Sequence, residues 1–257
     1  MWLPPNWGWE SEKAAFRFYD GHFDFFGKRM DTLIYPKISE GKDYHKDINR
    51  WGMDVLHVGK TGGIGGLVLY VDGIAYPVRD EKNPGDPSFA ASLLKETADI
   101  ITIEFVAKNV GPQENPYTVY IRPSAISGRK DSPVEVFVEG GVPGQDIKIG
   151  IALTALPTEE FFCDREIGIM GVWGFQQPEI GWIGMGVVFP PCRFLSMDEH
   201  PEEHRVVLKY TPGESLHYNI QGDWLRAHQF PRSPGVKEWK NTLRDLASRQ
   251  QSSQGMK

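Results

Sequence analysis

Between positions 42 and 66 the chain reads KDYHKDINRWGMDVLHVGKTGGIGG. Tyr44, His45, Lys46, Asp47, Arg50, Asp54, His57 and Lys60 fall within this one span. Imidazole and phenol groups supply and accept protons near neutral pH, and lysine and arginine stabilise an anion as it develops. The span therefore has the ingredients of general acid/base chemistry. Glycines crowd its end, at 59, 62, 63, 65 and 66. They permit unusual dihedrals and close approach of backbone to a ligand, or they mark a bend where backbones cross. They do not form a phosphate loop, because Lys60 precedes most of them, and no strand–helix–strand context supports a dinucleotide fingerprint. His45 and His57 lack the spacing of a zinc motif.

Other candidates are weaker. Aromatic residues are abundant, with 8 Trp, 9 Tyr and 14 Phe. Trp51, Trp173, Trp182 and Trp224 sit beside glycine, proline or polar residues, a setting that suits stacking on sugar rings as well as filling the space between sheets. Glu159, Glu160, Asp164 and Glu166 form an acidic cluster, but hydrolysis of a glycosidic bond needs two carboxylates at a set separation that spacing alone does not give. The run from Asp198 to His204 reads as a solvated loop with the residue types of a surface metal site.

These groups need a scaffold, and the pattern predicts strands. The 28 glycines and 19 prolines punctuate short runs of Val, Ile, Tyr, Phe and Trp. Residues 14–26 read as a hairpin about Asp20-Gly21, and 66–76 as a second about Asp72-Gly73. Further strands are expected at 100–110, 117–122, 134–139, 147–155, 167–173, 183–189, 205–210 and 216–221. Residues 87–97 read as a short helix or a loop. Val236, Trp239, Leu243 and Leu246 recur at helical spacing, so a surface helix is expected over about 235–249, with a frayed tail over 250–257. No repeat or linker divides the chain, which predicts one all-β sandwich domain over 1–257.

The 257 residues carry 28 Lys and Arg against 34 Asp and Glu, a formal charge of −6. That balance argues against nucleic acid or an anionic membrane as partner. Cys163 and Cys192 are too few for a disulfide framework. The start, MWLPPNWGWE, lacks a secretory signal, so the chain as written reads as cytoplasmic, or as periplasmic or secreted if it is a trimmed form.

The segments WESEKAAFRFYDG, DFFGKR, YHKDINRWGMDVLHVGKTGGIGG and GESLHYNIQGDW together resemble the bacterial family known as domain of unknown function 4861. The family's W-E-x-x-x-x-A-x-R strand, Y-H-x-D step and G-x-D-x-x-x-V-G segment are matched at Trp9–Arg17, Tyr44–Asp47 and Gly52–Gly59. Arg17 and Lys28 are further matching polar positions. The resemblance implies an antiparallel β-supersandwich of galactose-mutarotase type and a place in glycan degradation, with a polysaccharide or oligosaccharide as partner. Relatives carry a further β-rich segment and an export signal ahead of this strand; a shortened start could leave an open sheet edge and favour a homodimer.

Three functions follow as expectations. The first is a polysaccharide lyase acting by β-elimination on a uronate-containing glycan. His45 or His57 would then be the base, Tyr44 the acid, Arg50 or Lys60 the anion stabiliser and Asp54 the group that orients a histidine. Arg17, Lys28 and the four tryptophans would bind substrate, and a divalent cation such as calcium is the cofactor to test. The second is a glycoside hydrolase or sugar epimerase on the same scaffold. The third is a non-catalytic carbohydrate-binding sandwich.

Overall fold

A computed structural model of the chain describes residues 7–33, 43–46, 51–79, 87–227 and 235–254. Three antiparallel sheets account for most of them. A four-stranded sheet runs β1 (Trp7–Glu10), β2 (Ala15–Tyr19), β3 (His22–Lys28), β4 (Gly52–Asp54). A five-stranded sheet contains β5 (Ile64–Val71) and β6 (Ile74–Pro77), together with β11 (Ile147–Thr154), β15 (Phe194–Glu199) and β16 (Glu203–Lys209). The remaining strands form an eight-stranded sheet: β7 (Ser88–Glu96), β8 (Ile100–Val110), β9 (Tyr117–Ile126), β10 (Asp131–Gly140), β12 (Thr158–Asp164), β13 (Ile169–Gln177), β14 (Gly181–Val188) and β17 (Leu216–Trp224). The order across it is β12-β13-β14-β17-β10-β9-β8-β7.

The two larger sheets face each other over one core, in which Leu69, Ile103, Val119, Val136, Ile149 and Ile220 are among the buried side chains. Strict alternation builds it. Along β9 the pattern is buried at every second residue from Tyr117 to Ala125, as a sheet with one face in the core requires. The fold is therefore an antiparallel β-supersandwich. One helix, α1 (Val236–Gln254), lies on the outer face of the eight-stranded sheet. Trp239, Leu243 and Leu246 pack there with Ile169, Trp173 and Val188. Gly184 and Gly186 make room, since a Cβ at either would fall within 3 Å of Trp239 or Leu243. No helix among the described residues is long and apolar enough to cross a membrane.

Two expectations need correction. Residues 88–96 form a strand, not a helix; β7 pairs along most of its length with β8 and is the edge of its sheet. Cross-strand pairing there overrides the helical preference of Ala90, Ala91, Leu93 and Leu94. The glycine tract takes the second of the two forms its sequence allows, a bend where backbones cross. Gly62 and Gly66 touch each other, and Gly63, at φ +79°, lies so close to the Phe23 carbonyl that a Cβ would fall 1.7 Å from its oxygen. The contact joins the four-stranded sheet to the five-stranded one through a parallel bridge between Phe23 and Gly63. The helix also runs five residues beyond the expected end at 249.

Candidate functional site

The four-stranded sheet sorts its side chains by face. Trp9, Phe16, Phe18, Phe23, Phe25 and Met53 enter the main core. Their neighbours in alternation, Arg17, Tyr19, Asp24 and Asp54, gather on the opposite face. The two-residue turn at Asp20-Gly21 sets Arg17 directly opposite Asp24, and β4 adds Asp54 opposite Phe26. One Arg17 nitrogen, Nη2, donates to Asp24 and, at 2.9 Å, to Asp54 Oδ2. The guanidinium also lies against the rings of Tyr19 and Tyr44, 4.8 and 5.0 Å from their centroids. Arg17, Asp24 and Asp54 are all buried.

Two buried carboxylates thus share one cation. Burial pushes the Asp24 carboxyl well above the ordinary carboxylate range, and the charge of Asp54 adds to the rise while Arg17 opposes it. Burial likewise raises Asp54, against the pull of Arg17 and His45. For Arg17, burial disfavours the charge, but Asp24 and Asp54 outweigh it and hold the pKa above that of an ordinary arginine.

The cluster opens to solvent through His45. Its Nδ1 lies 3.5 Å from Asp54 Oδ2, and its side chain is 60% exposed while that of Asp54 is 3% exposed. The turn that carries it is pinned to β4, because the Asp54 amide donates to the Tyr44 carbonyl at 2.8 Å. The His45 and Tyr44 rings are 4.4 Å apart. A carboxylate facing Nδ1 leaves Nε2 as the outward nitrogen, the geometry of an oriented general base.

The remaining predicted residues divide. His57 is exposed and within electrostatic reach of Asp54; its backbone amide donates to Gln176 Oε1 at 3.3 Å. Lys60 stands on an exposed turn and makes no contact with the cluster among the described residues. Arg50 and Asp47 lie outside the described residues. Arg17 is buried behind the two aspartates, so it serves them rather than a substrate. Trp51, Trp173 and Trp224 are buried and offer a sugar no open face. Trp51 packs with Ala15 and Phe26, Trp173 lies under α1, and Trp224 donates to the Ile180 carbonyl at 2.8 Å. Trp182 is half-buried beside α1, edge-on to Phe175.

Lys28 is also buried. Its ammonium donates to the Ser11 carbonyl at 2.8 Å, lies 3.8 Å from Glu10 and faces the Trp51 ring. Burial, only partly offset by Glu10, lowers its pKa to about 8 from 10.5. Between those two values the unfolded chain binds more protons than the folded one, so this lysine makes stability rise with pH across that window. A shift of that size corresponds to about 3 kcal/mol. Chemical denaturation of wild type and Lys28→Met from pH 7 to 10.5 should show the variant gaining less stability with pH; parallel curves would refute the assignment.

Asp24 and Tyr19 are the members of the cluster to which sequence spacing assigned no role. The turn at Asp20-Gly21 was the available signal, because it dictates the 17–24 pairing. A second buried ionic group lies at the glycine tract, where Glu203 accepts from the Gly62 amide at 2.9 Å and pairs with Arg205 and Arg79. It anchors the glycine crossing. His204 pairs with Glu159 at 2.5 Å and stacks on Phe161. Among the described residues no group of three or more His, Cys, Asp or Glu is placed to hold a metal ion.

A family model described as "Domain of unknown function (DUF4861)" matches residues 5–254. No curated protein matches the chain. Among solved structures, the GH36 alpha-galactosidase AgaB from Geobacillus stearothermophilus is similar at 11% identity and a TM-score of 0.41, over 88% of this chain and 41% of that one. The galactosidase domain of the alpha-galactosidase-sucrose kinase AgaSK gives 11% and 0.41, over 86% and 41%. The chain thus spans about two fifths of those structures, and at these scores the likeness assigns it no activity.

Proposed function

The chain belongs to the DUF4861 family, and from that premise we propose that it is a carbohydrate-active enzyme, a lyase that cleaves a uronate-containing glycan by β-elimination. The observation that carries this reading is the buried Asp54 carboxylate, held from behind by Arg17 and facing an exposed imidazole. In the reaction His45 Nε2 takes the C5 proton. The C5–H electron pair forms the C4=C5 double bond as the C4–O bond breaks. The Tyr44 phenol, beside His45, protonates the departing oxygen. Asp54 orients the imidazole and stabilises it once protonated. Lys60, on its exposed turn, is the cation to test against a substrate carboxylate, with Arg50, which lies outside the described residues, as the other; Arg17 is not, because its charge is already committed inside the protein.

The test is incubation with a panel of uronate polymers, with and without calcium, followed by ultraviolet absorbance of the unsaturated product. Absorbance should grow with wild type and not with His45→Ala. Silence across the panel overturns the lyase. Reducing ends without the unsaturated product would reassign the chain as a hydrolase, and anomer exchange without cleavage as an epimerase.

A further inference from the structure

One side of the sandwich ends at two edge strands, β12 of the eight-stranded sheet and β15 of the five-stranded one. His204 links the sheets there. It alternates along β16 with Val206 and Leu208, both in the core, so it faces the opposite sheet. Its Nε2 meets Glu159 Oε1 at 2.5 Å, and its ring stacks on Phe161 with centroids 4.0 Å apart and planes 14° from parallel. The other Glu159 oxygen accepts from the Leu156 amide at 2.6 Å, which fixes the carboxylate. Glu199 of β15 lies directly opposite His204 in register and shares its face. A hollow of about 540 Å³ is lined by Phe161, Glu199 and His204, with Met197, His200 and Pro201.

The charges on its wall do not balance. Asp198 is committed to the Tyr70 hydroxyl and Arg205, and Glu203 to the Gly62 amide, Arg79 and Arg205. Glu199 is exposed and has no partner among the described residues, and no lysine or arginine among them lines the hollow. His204 commits its N–H to Glu159, which leaves Nδ1 as an acceptor. His200 Nδ1 accepts from the Glu202 amide at 3.3 Å, which leaves Nε2 as a donor for a neutral group. A carboxylate or phosphate would meet Glu199 here with no cation to receive it. A metal ion is not served either, because these residues form no group of three ligands placed to hold one. An organic ammonium satisfies the wall. Its N–H donors match the Glu199 carboxylate and His204 Nδ1, and its apolar body covers Met197 and Pro201. Its charge is favoured beside the Phe161 ring, which is 38% exposed. The volume lies within the roughly 300–1,000 Å³ typical of small-molecule sites.

We propose that this hollow binds a small organic cation, a primary ammonium carried on an apolar ring or chain. The site shares no residue with the His45 cluster, and it neither requires nor tests the elimination chemistry.

Calorimetry and saturation-transfer NMR on the full chain decide the matter, with cyclohexylammonium, cyclohexanol and cyclohexanecarboxylate as probes of similar shape and different charge. Cyclohexylammonium should bind wild type, and the alcohol and the acid should bind at least about tenfold more weakly. Glu199 and Phe161 are exposed, so Glu199→Gln and Phe161→Leu should keep the wild-type melting temperature. The first should weaken cyclohexylammonium by about tenfold and the second by about threefold. His45→Ala should bind it as wild type does while losing any lyase signal, so failure of either reading leaves the other intact. The proposal is overturned if cyclohexylammonium does not bind, if cyclohexanol binds as tightly, or if Glu199→Gln binds the ammonium unchanged.

Discussion

Replacing Arg17 by methionine is expected to cost about 3–5 kcal/mol of folding stability, the range for removing one partner of a buried ion pair. Asp24 and Asp54 would be left buried without their shared cation, and the imidazole of His45, 3.5 Å from Asp54, faces Asp54 alone. Arg17→Lys should recover little, because an ammonium cannot lie flat between Tyr19 and Tyr44 while bonding both carboxylates. The triple change Arg17→Met, Asp24→Asn, Asp54→Asn should recover much of the loss, since it removes the stranded charges along with the cation. The sign of the pH dependence follows from the raised carboxyls. Both bind protons more readily folded than unfolded, so acid relieves the strain on the variant and its deficit shrinks as pH falls. Urea denaturation at pH 7 and pH 5 measures both effects. A deficit below about 1 kcal/mol at pH 7, no more than an exposed pair contributes, would mean that the cluster is hydrated.

His45→Ala is the second large effect, and it is expected in activity rather than stability. Loss of a positioned general base lowers turnover by about 10²–10⁴. The ring is 60% exposed, so stability should stay within about 0.5 kcal/mol of wild type. Asp54→Asn should also lower turnover, but it removes a carboxylate from the Arg17 pair and so shifts stability as well. Steady-state rates on the glycan identified in the panel, set beside melting curves, separate the two variants. An active His45→Ala protein would move the chemistry to His57 or elsewhere.

Much of the architecture is legible in the chain because two local signals agree. Period-two alternation marks β8, β9 and β10, and Asp20-Gly21 and Asp72-Gly73 fix two hairpins and their registers. The register of the first was sufficient to pair Arg17 with Asp24. The pairing of β3 with β4 was not legible in the same way. It brings Asp54 to Arg17 across 37 positions of sequence, and nothing local in either segment encodes it. β7 was misread because its Ala and Leu content favours a helix in isolation, while its pairing with β8 is a tertiary fact. The tryptophans show the same limit. Polar neighbours in sequence suit open rings at Trp51, Trp173 and Trp224, but each is covered by a different tertiary contact: Trp224 lies in the main core, Trp173 lies under α1, and Trp51 packs on Ala15 and Phe26.

The glycine crossing bears on how homologues of this chain should be compared. At 62, 63 and 66 even a methyl group would collide with main chain, and at 65 it would strike Ile220. Evolutionary drift at these four positions is barred by space alone, whatever the protein binds. Their invariance in an alignment would be uninformative about catalysis. Position 45, where solvent would accept almost any polar residue, is one at which retained identity would report selection for a ligand.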